Sequence, residues 1–160
     1  MKRFLVFSDS HGSINNCEDV INHFQNQISG IIHAGDYARD AEDLESIYKD
    51  IPVYYVHGNT DYMSRAPGDL TFEIDGVRIF LTHGHEYFVK KELCSGYGTL
   101  LRKAKEERAD LCIFGHTHIS TMQRNIGVTL LNPGSIRFNG EYAIVGIENG
   151  DVKIAQMKLF

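Results

Sequence analysis

Short apolar runs that stop at polar, glycine-containing turns set the rhythm of this chain. Arg3 to Ser8 is the first, and it reads as a strand ending in a turn. Ile14, Val20, Ile21, Phe24 and Ile28 then recur at helical spacing, with Ser13 placed as the N-cap. Ile31 to Ala34 reads as a second strand. Asp40 to Lys49 follows as a helix capped by Asp40, with Leu44, Ile47 and Tyr48 facing inward. Val53 to Val56 is a third strand. Strands that alternate with helices predict parallel pairing and right-handed crossovers. Later, Asp75-Gly76 and Asn149-Gly150 each sit between strand-like runs and predict hairpins. Between them lie a helix from about Gly98 to Arg108, with Leu100, Leu101 and Ala104 inward, and a strand from Leu111 to Phe114. The sheets should therefore be mixed, with antiparallel pairs toward the end.

Bulk properties narrow the class. The 160 residues, 42% of them apolar, show no repeat, low-complexity tract or linker, so residues 1–160 read as a single domain large enough to bury a core. No run approaches the roughly 18 uncharged apolar residues of a membrane span. Lys2-Arg3 precedes an apolar run too short for a leader, which favours a first strand. The net charge of -5 and the lack of a basic stripe argue against binding extended nucleic acid. Cys17, Cys94 and Cys112 include no C-x-x-C pair. They read as free thiols in a reducing cytoplasm, with Cys17 and Cys112 in the core and no thiolate metal site.

The chemistry lies where the apolar runs stop. FLVFSDSHG, GIIHAGDY, VYYVHGNTD, RIFLTHGHE and LCIFGHTHI each hand over to Asp, His or Asn beside a glycine. The carboxyl ends of strands are where open α/β sheets place ligands. Each motif alone is an ordinary turn. Five together would gather Asp9, His11, Asp36, Asn59, His83, His116 and His118 into one cleft. Imidazole and carboxylate donors without thiolate suit Mn²⁺ first, and also Fe, Zn²⁺, Co²⁺ or Ni²⁺. Two divalent ions, two carboxylates and a hydroxide leave one net positive charge, which a phosphodiester anion would balance.

The order D-x-H, G-D, G-N, H-G-H, G-H-T-H, followed by Asn132-Pro-Gly-Ser135, resembles the calcineurin-like metallophosphoesterase superfamily. The short length points to its small bacterial and archaeal YfcE-type branch. The resemblance runs from about Phe4 to Ile136. It implies an α/β fold, a four-layer α-β-β-α sandwich of two mixed sheets. It implies two divalent metal ions, one held by Asp9, His11 and His118, the other by Asn59, His83 and His116, with Asp36 between them. The implied activity is hydrolysis of a small phosphate ester, most readily a phosphodiester, by in-line attack of a hydroxide shared by the metals.

Thr60 stands where many superfamily members carry a His after the motif Asn, which leaves the proton donor to the leaving group open. His85 is the candidate; the alternatives are a purely supporting role for it, and a reaction that uses no protein acid and prefers good leaving groups. Asp61 reads as an orienting or turn residue, and Arg137 as a substrate contact or a surface residue. His33 and His57 read as supports, and His23 as solvent-facing. Tyr62, Arg65, Tyr87, Lys90, Lys91 and Tyr97 could form a substrate rim. The competing class is a non-catalytic protein-interaction scaffold of the Vps29 type, which a complete ligand set argues against. A single-zinc hydrolase is a third reading. No membrane partner is expected, and a homo-oligomer stays open.

Overall fold

The structure is a computed structural model that describes residues 1–159. Its strands are β1 (Lys2–Phe7), β2 (Gly30–His33), β3 (Val53–Tyr55), β4 (Asp69–Ile74), β5 (Val77–Thr82), β6 (Leu111–Ile113), β7 (Thr121–Asn125), β8 (Val128–Asn132), β9 (Glu141–Glu148) and β10 (Asp151–Lys158). Three α-helices join them: α1 (Ile14–Phe24), α2 (Ala38–Ile47) and α3 (Gly98–Glu106). One five-stranded sheet runs β10-β9-β1-β2-β3 and the other β4-β5-β6-β8-β7. Each contains three parallel strands: β1, β2 and β3 in the first, where β3 forms the edge, and β5, β6 and β8 in the second. Hairpin partners complete both sheets.

Period-two alternation explains the layers. On β1, Phe4 and Val6 face the other sheet while Leu5 and Phe7 face the helices. On β6, Leu111 and Ile113 point to the shared core and Cys112 points to the opposite side. Both faces are buried, which is why these strands read as unbroken apolar runs rather than alternating ones. α1 and α2 supply apolar groups to one outer core, and α3 to the other. The result is an α-β-β-α sandwich. No helix among the described residues is long and apolar enough to cross a membrane.

Several local expectations change. α2 begins at Ala38, so Asp40 lies inside its first turn and does not cap it. The Asp40 carboxylate accepts from Gly12 N at 2.8 Å, and Ala38 N instead donates to Asp61 Oδ1 at 3.0 Å. Ser13 occupies the N-cap position of α1 without bonding the helix. Its hydroxyl accepts from Arg137 Nη1 at 2.7 Å. Ile28 lies beyond α1, after a single tighter turn over Gln25–Gln27, and Ile47 is exposed. The β7–β8 hairpin was not foreseen. β7 reads TMQRN, a polar edge strand whose pattern carries no apolar face.

Leu131 on β8 is fully buried between the sheets. Leu131→Ala should cost about 2–5 kcal/mol of stability by urea titration. A change below about 1 kcal/mol would contradict a close-packed inter-sheet core.

Candidate metal centre

The loops after β1, β2, β3, β5 and β6 meet at one edge of the paired sheets. Asp9 N donates to Gly35 O at 3.0 Å, and His11 N to Asp36 O at 3.4 Å, tying the first two loops together. His116 N donates to Asp9 Oδ2 at 3.1 Å, which joins the two sheets across the site. Asp9, His11, Asp36, His116 and His118 all have φ between 42° and 71°. Side chains other than glycine rarely adopt this left-handed backbone, and it concentrates where geometry serves function. Here it turns five side chains off their strand ends toward a common point.

Two motif glycines are required by close approach. A Cβ on Gly58 would lie 2.0 Å from Asp36 Oδ1, and one on Gly115 would lie 2.0 Å from Ser8 Oγ and 2.8 Å from Asp9 Oδ2. Only a residue without a side chain lets these loops press on the carboxylates.

The donor atoms fall into two groups, Asp9, His11 and His118, and Asp36, His83 and His116, with the atoms of each within 4.8 Å of one another. Asp9 Oδ1 lies 3.9 Å from His11 Nε2, 3.9 Å from His83 Nε2 and 3.2 Å from His118 Nε2. Asp36 Oδ2 lies 3.7 Å from His11 Nε2 and 3.4 Å from His83 Nε2, so it faces both groups. Asn59 is exposed, and its Oδ1 is 3.0 Å from His83 Nε2.

These donors fit divalent ions. Asp9 Oδ1 and His11 Nε2 are buried and make no hydrogen bond. Buried polar atoms are normally paired, so an orphaned carboxylate oxygen facing three imidazole nitrogens marks a place built for cations. His83 Nδ1 is 2.7 Å from Ala34 O. That bond uses the Nδ1 proton and turns Nε2 toward the cluster, the usual support of a metal-bound imidazole.

Electrostatics prepares the same states. Burial opposes ionisation of Asp9, but the nearby His118 and His83 rings and the hydroxyl of Ser8 hold its carboxyl below the usual range. Burial likewise opposes ionisation of Asp36, yet His83 and the amide of Thr60 hold it well below. Burial and the positive charge of His83 lower His116 to about 4, leaving it neutral and able to ligate. His83 itself is raised: burial works against its charge, but Asp36 and Asp9 outweigh it.

Other residues serve as supports. Asp61 Oδ2 accepts from Asp36 N at 3.2 Å and Gly58 N at 2.7 Å, so Asp61 fixes both loops. Fully buried His33 accepts from Gly35 N at Nδ1, so its Nε2 carries the proton and donates to Ser10 Oγ at 2.8 Å. His57 Nδ1 lies 3.4 Å from Gly58 O, and His23 is exposed. His85 is half-buried, its ring 5.5 Å from His83 and 6.1 Å from His116. Burial and His83 lower its pKa. Arg137 is exposed and bonded to Ser13. Among the rim candidates, Tyr97 is buried in the core beside α3, where its ring packs on Phe114. Tyr87 donates to Asp69 at 2.5 Å. Tyr62, Arg65, Lys90 and Lys91 are exposed.

The role of the Asn132–Ser135 segment was not legible beforehand. Asn132 Nδ2 donates to Gly115 O and Thr117 Oγ1 at 3.1 and 2.9 Å, and Ser135 Oγ donates to Asp9 O at 2.9 Å. The segment buckles the His116–His118 loop to the Asp9 loop. Its string was a visible signal, whereas Ser8, which donates to Asp9 Oδ2 at 2.6 Å, gave none.

Gly58→Ala should lower divalent-metal affinity at least tenfold by calorimetry, because its Cβ displaces Asp36. Unchanged affinity would contradict the close approach. Metal must displace the proton that His83 holds above its ordinary pKa. Loading near pH 7 should therefore release protons, and affinity should fall as pH drops toward 5. A pH-independent affinity over that range would contradict it.

Comparisons with known proteins follow this geometry. The calcineurin-like phosphoesterase superfamily domain matches residues 1–150. The Bacillus subtilis protein named probable metallophosphoesterase YsnB is 31% identical over 151 residues, covering 91% of this chain and 84% of that protein. Phosphodiesterase MJ0936 of Methanocaldococcus jannaschii is 25% identical over 146 residues, covering 81% of each. The crystal structure of Vps29 from Entamoeba histolytica complexed with Zn²⁺ superposes with a TM-score of 0.73 at 20% identity, covering 99% of each chain, and so shares the fold. With its sandwich, its strand-end ligand loops and this match over nearly all its length, the chain belongs to the calcineurin-like phosphoesterase superfamily.

Proposed function

We propose that the chain is a phosphodiesterase working with two divalent metal ions, Mn²⁺ first among them, on a small phosphate diester. In this reading Asp9, His11 and His118 hold one ion, Asn59, His83 and His116 hold the other, and Asp36 touches both. The observation that carries it is Asp36 Oδ2, buried and facing a histidine nitrogen of each group at 3.7 and 3.4 Å. When bound, such a pair supplies Lewis acidity toward phosphoryl oxygens and makes a hydroxide nucleophile available near neutral pH.

The protein's own groups do the rest. Asp61 and Ser135 keep the loops carrying Asp36 and Asp9 in register, so the donors need little reorganisation. His85 stands over the Asp36 group and delivers a proton to the leaving oxygen. A phosphate anion beside its ring would raise its lowered pKa and favour the protonated form. Arg137, exposed and bonded to Ser13, would meet the non-reacting part of the substrate. The name of the Methanocaldococcus relative supports the diester preference. The likeness to Vps29 is one of fold and carries no partner to this chain.

Purified, Mn²⁺-loaded protein should hydrolyse bis(p-nitrophenyl) phosphate, lose turnover on chelation, and regain it when metal is restored. Asp36→Asn should lower kcat at least 100-fold together with metal occupancy. Full turnover in that variant, or in chelated protein, would contradict the reading. His85→Ala should reduce kcat on alkyl or phenyl diesters about 10- to 100-fold, and far less on nitrophenyl esters, whose leaving groups need no proton. Equal losses on all esters would remove His85 from proton delivery.

A further inference from the structure

Two large aromatic side chains stand in water at the rim of the centre, Phe138 at 60% exposure and Tyr37 at 41%. Both touch a histidine of the cluster. The Phe138 ring lies nearly parallel to His118, 5.1 Å away at 24°, and 5.5 Å from His11. The Tyr37 ring meets His11 edge-on at 5.7 Å. An apolar ring exposed on a surface is ordinary, but two of them bracketing one candidate ligand are not explained by packing.

Both are held firmly. Phe138 N donates to Ser135 Oγ at 3.1 Å, Asn139 N to Ser135 O at 3.1 Å, and Asn139 Nδ2 to His118 O at 3.2 Å. The turn that presents Phe138 is thus bonded to the ligand loop itself. Tyr37 sits between Asp36 and Ala38, whose amides both donate to Asp61. Tyr37 also lines a cleft of about 590 Å³ with Arg39, Thr60, Tyr62 and Arg65. Thr60 N donates to Asp36 Oδ1 at 3.1 Å, so the cleft opens beside the centre. Tyr37 is its wall toward His11, and Phe138 does not line it. Flat guanidinium and phenol faces accept aromatic rings readily.

The geometry points to a ring-binding subsite: the alcohol arm of the substrate carries a planar aromatic or heterocyclic ring, held against Phe138 and Tyr37 where they bracket His11. This rests on the phosphodiesterase reading above, since the ring belongs to the ester's alcohol. Rigid aromatic walls gain affinity by stacking with little entropy lost, and they discriminate flat rings from aliphatic alcohols.

The test measures binding of phenyl phosphate and of methyl phosphate to the Mn²⁺-loaded protein by calorimetry. Phenyl phosphate should bind about tenfold tighter, the scale expected of one stacking contact. Phe138→Leu and Tyr37→Leu, which keep apolar bulk but remove the ring, should each shrink that ratio severalfold while metal stoichiometry stays unchanged. A wild-type ratio near one, or no binding of phenyl phosphate, would overturn the subsite. So would a ratio unmoved by both variants, or loss of metal as their only effect, since the rings would then merely brace the histidines. If the preference stands but bis(p-nitrophenyl) phosphate is not hydrolysed, the activity falls and the subsite survives. If hydrolysis occurs with no preference, the subsite alone falls.

Discussion

Two buried carboxylates, Asp9 and Asp36, face a set of imidazole nitrogens, and among the described residues their only ion-pair partners are these histidines. Removing such charges from water costs several kcal/mol per ion unless a partner compensates. Cations placed between the oxygens and nitrogens would satisfy both at once. The rest of the molecule can be understood as what holds those donors in position. The parallel strands β1, β2, β3, β5 and β6 bring the five loops that follow them to one edge of the paired sheets. Left-handed backbone at Asp9, His11, Asp36, His116 and His118 then turns the side chains inward. Conformations of this kind cost of order 1–3 kcal/mol each, and the packed sandwich must supply that stability.

The supports make those conformations persist. Asp61 satisfies the amides of Asp36, Ala38 and Gly58, so one carboxylate caps a helix and sets two ligand loops. Ser135 and Asn132 join the Asp9 loop to the His116 loop across the two sheets. Gly58 and Gly115 let backbone approach the carboxylates where any side chain would collide. The G-N and G-H-T-H strings therefore encode close approach as well as ligands. The same bonded turns carry Phe138 and Tyr37 to the rim of the centre.

How much of this could be read from sequence depended on whether the information was local. The donor motifs each follow an apolar run, and the structure brings Asp9, His11, Asp36, Asn59, His83, His116 and His118 together because each lies at a strand end. The Asp75-Gly76 and Asn149-Gly150 hairpins are encoded in their own dipeptides. Asp40 does not cap α2, and Ser13, though at the N-cap position of α1, gives its hydroxyl no bond to the helix, because Gly12 and Arg137 compete for them and those partners arrive only through folding. β7 was missed because an edge strand needs no apolar face. Tyr97 looked like a rim residue from its loop position, yet helix α3 draws it into the core. Nothing local in the sequence marks Phe138, since its meeting with His11 and His118 joins segments more than a hundred and about twenty residues apart.

The most direct measurement is anomalous diffraction from a crystal of the Mn²⁺-loaded protein. Two peaks should appear, one among Asp9, His11 and His118 and one among Asn59, His83 and His116, with Asp36 reaching both. A single peak, or ions bound away from these seven side chains, would contradict the account.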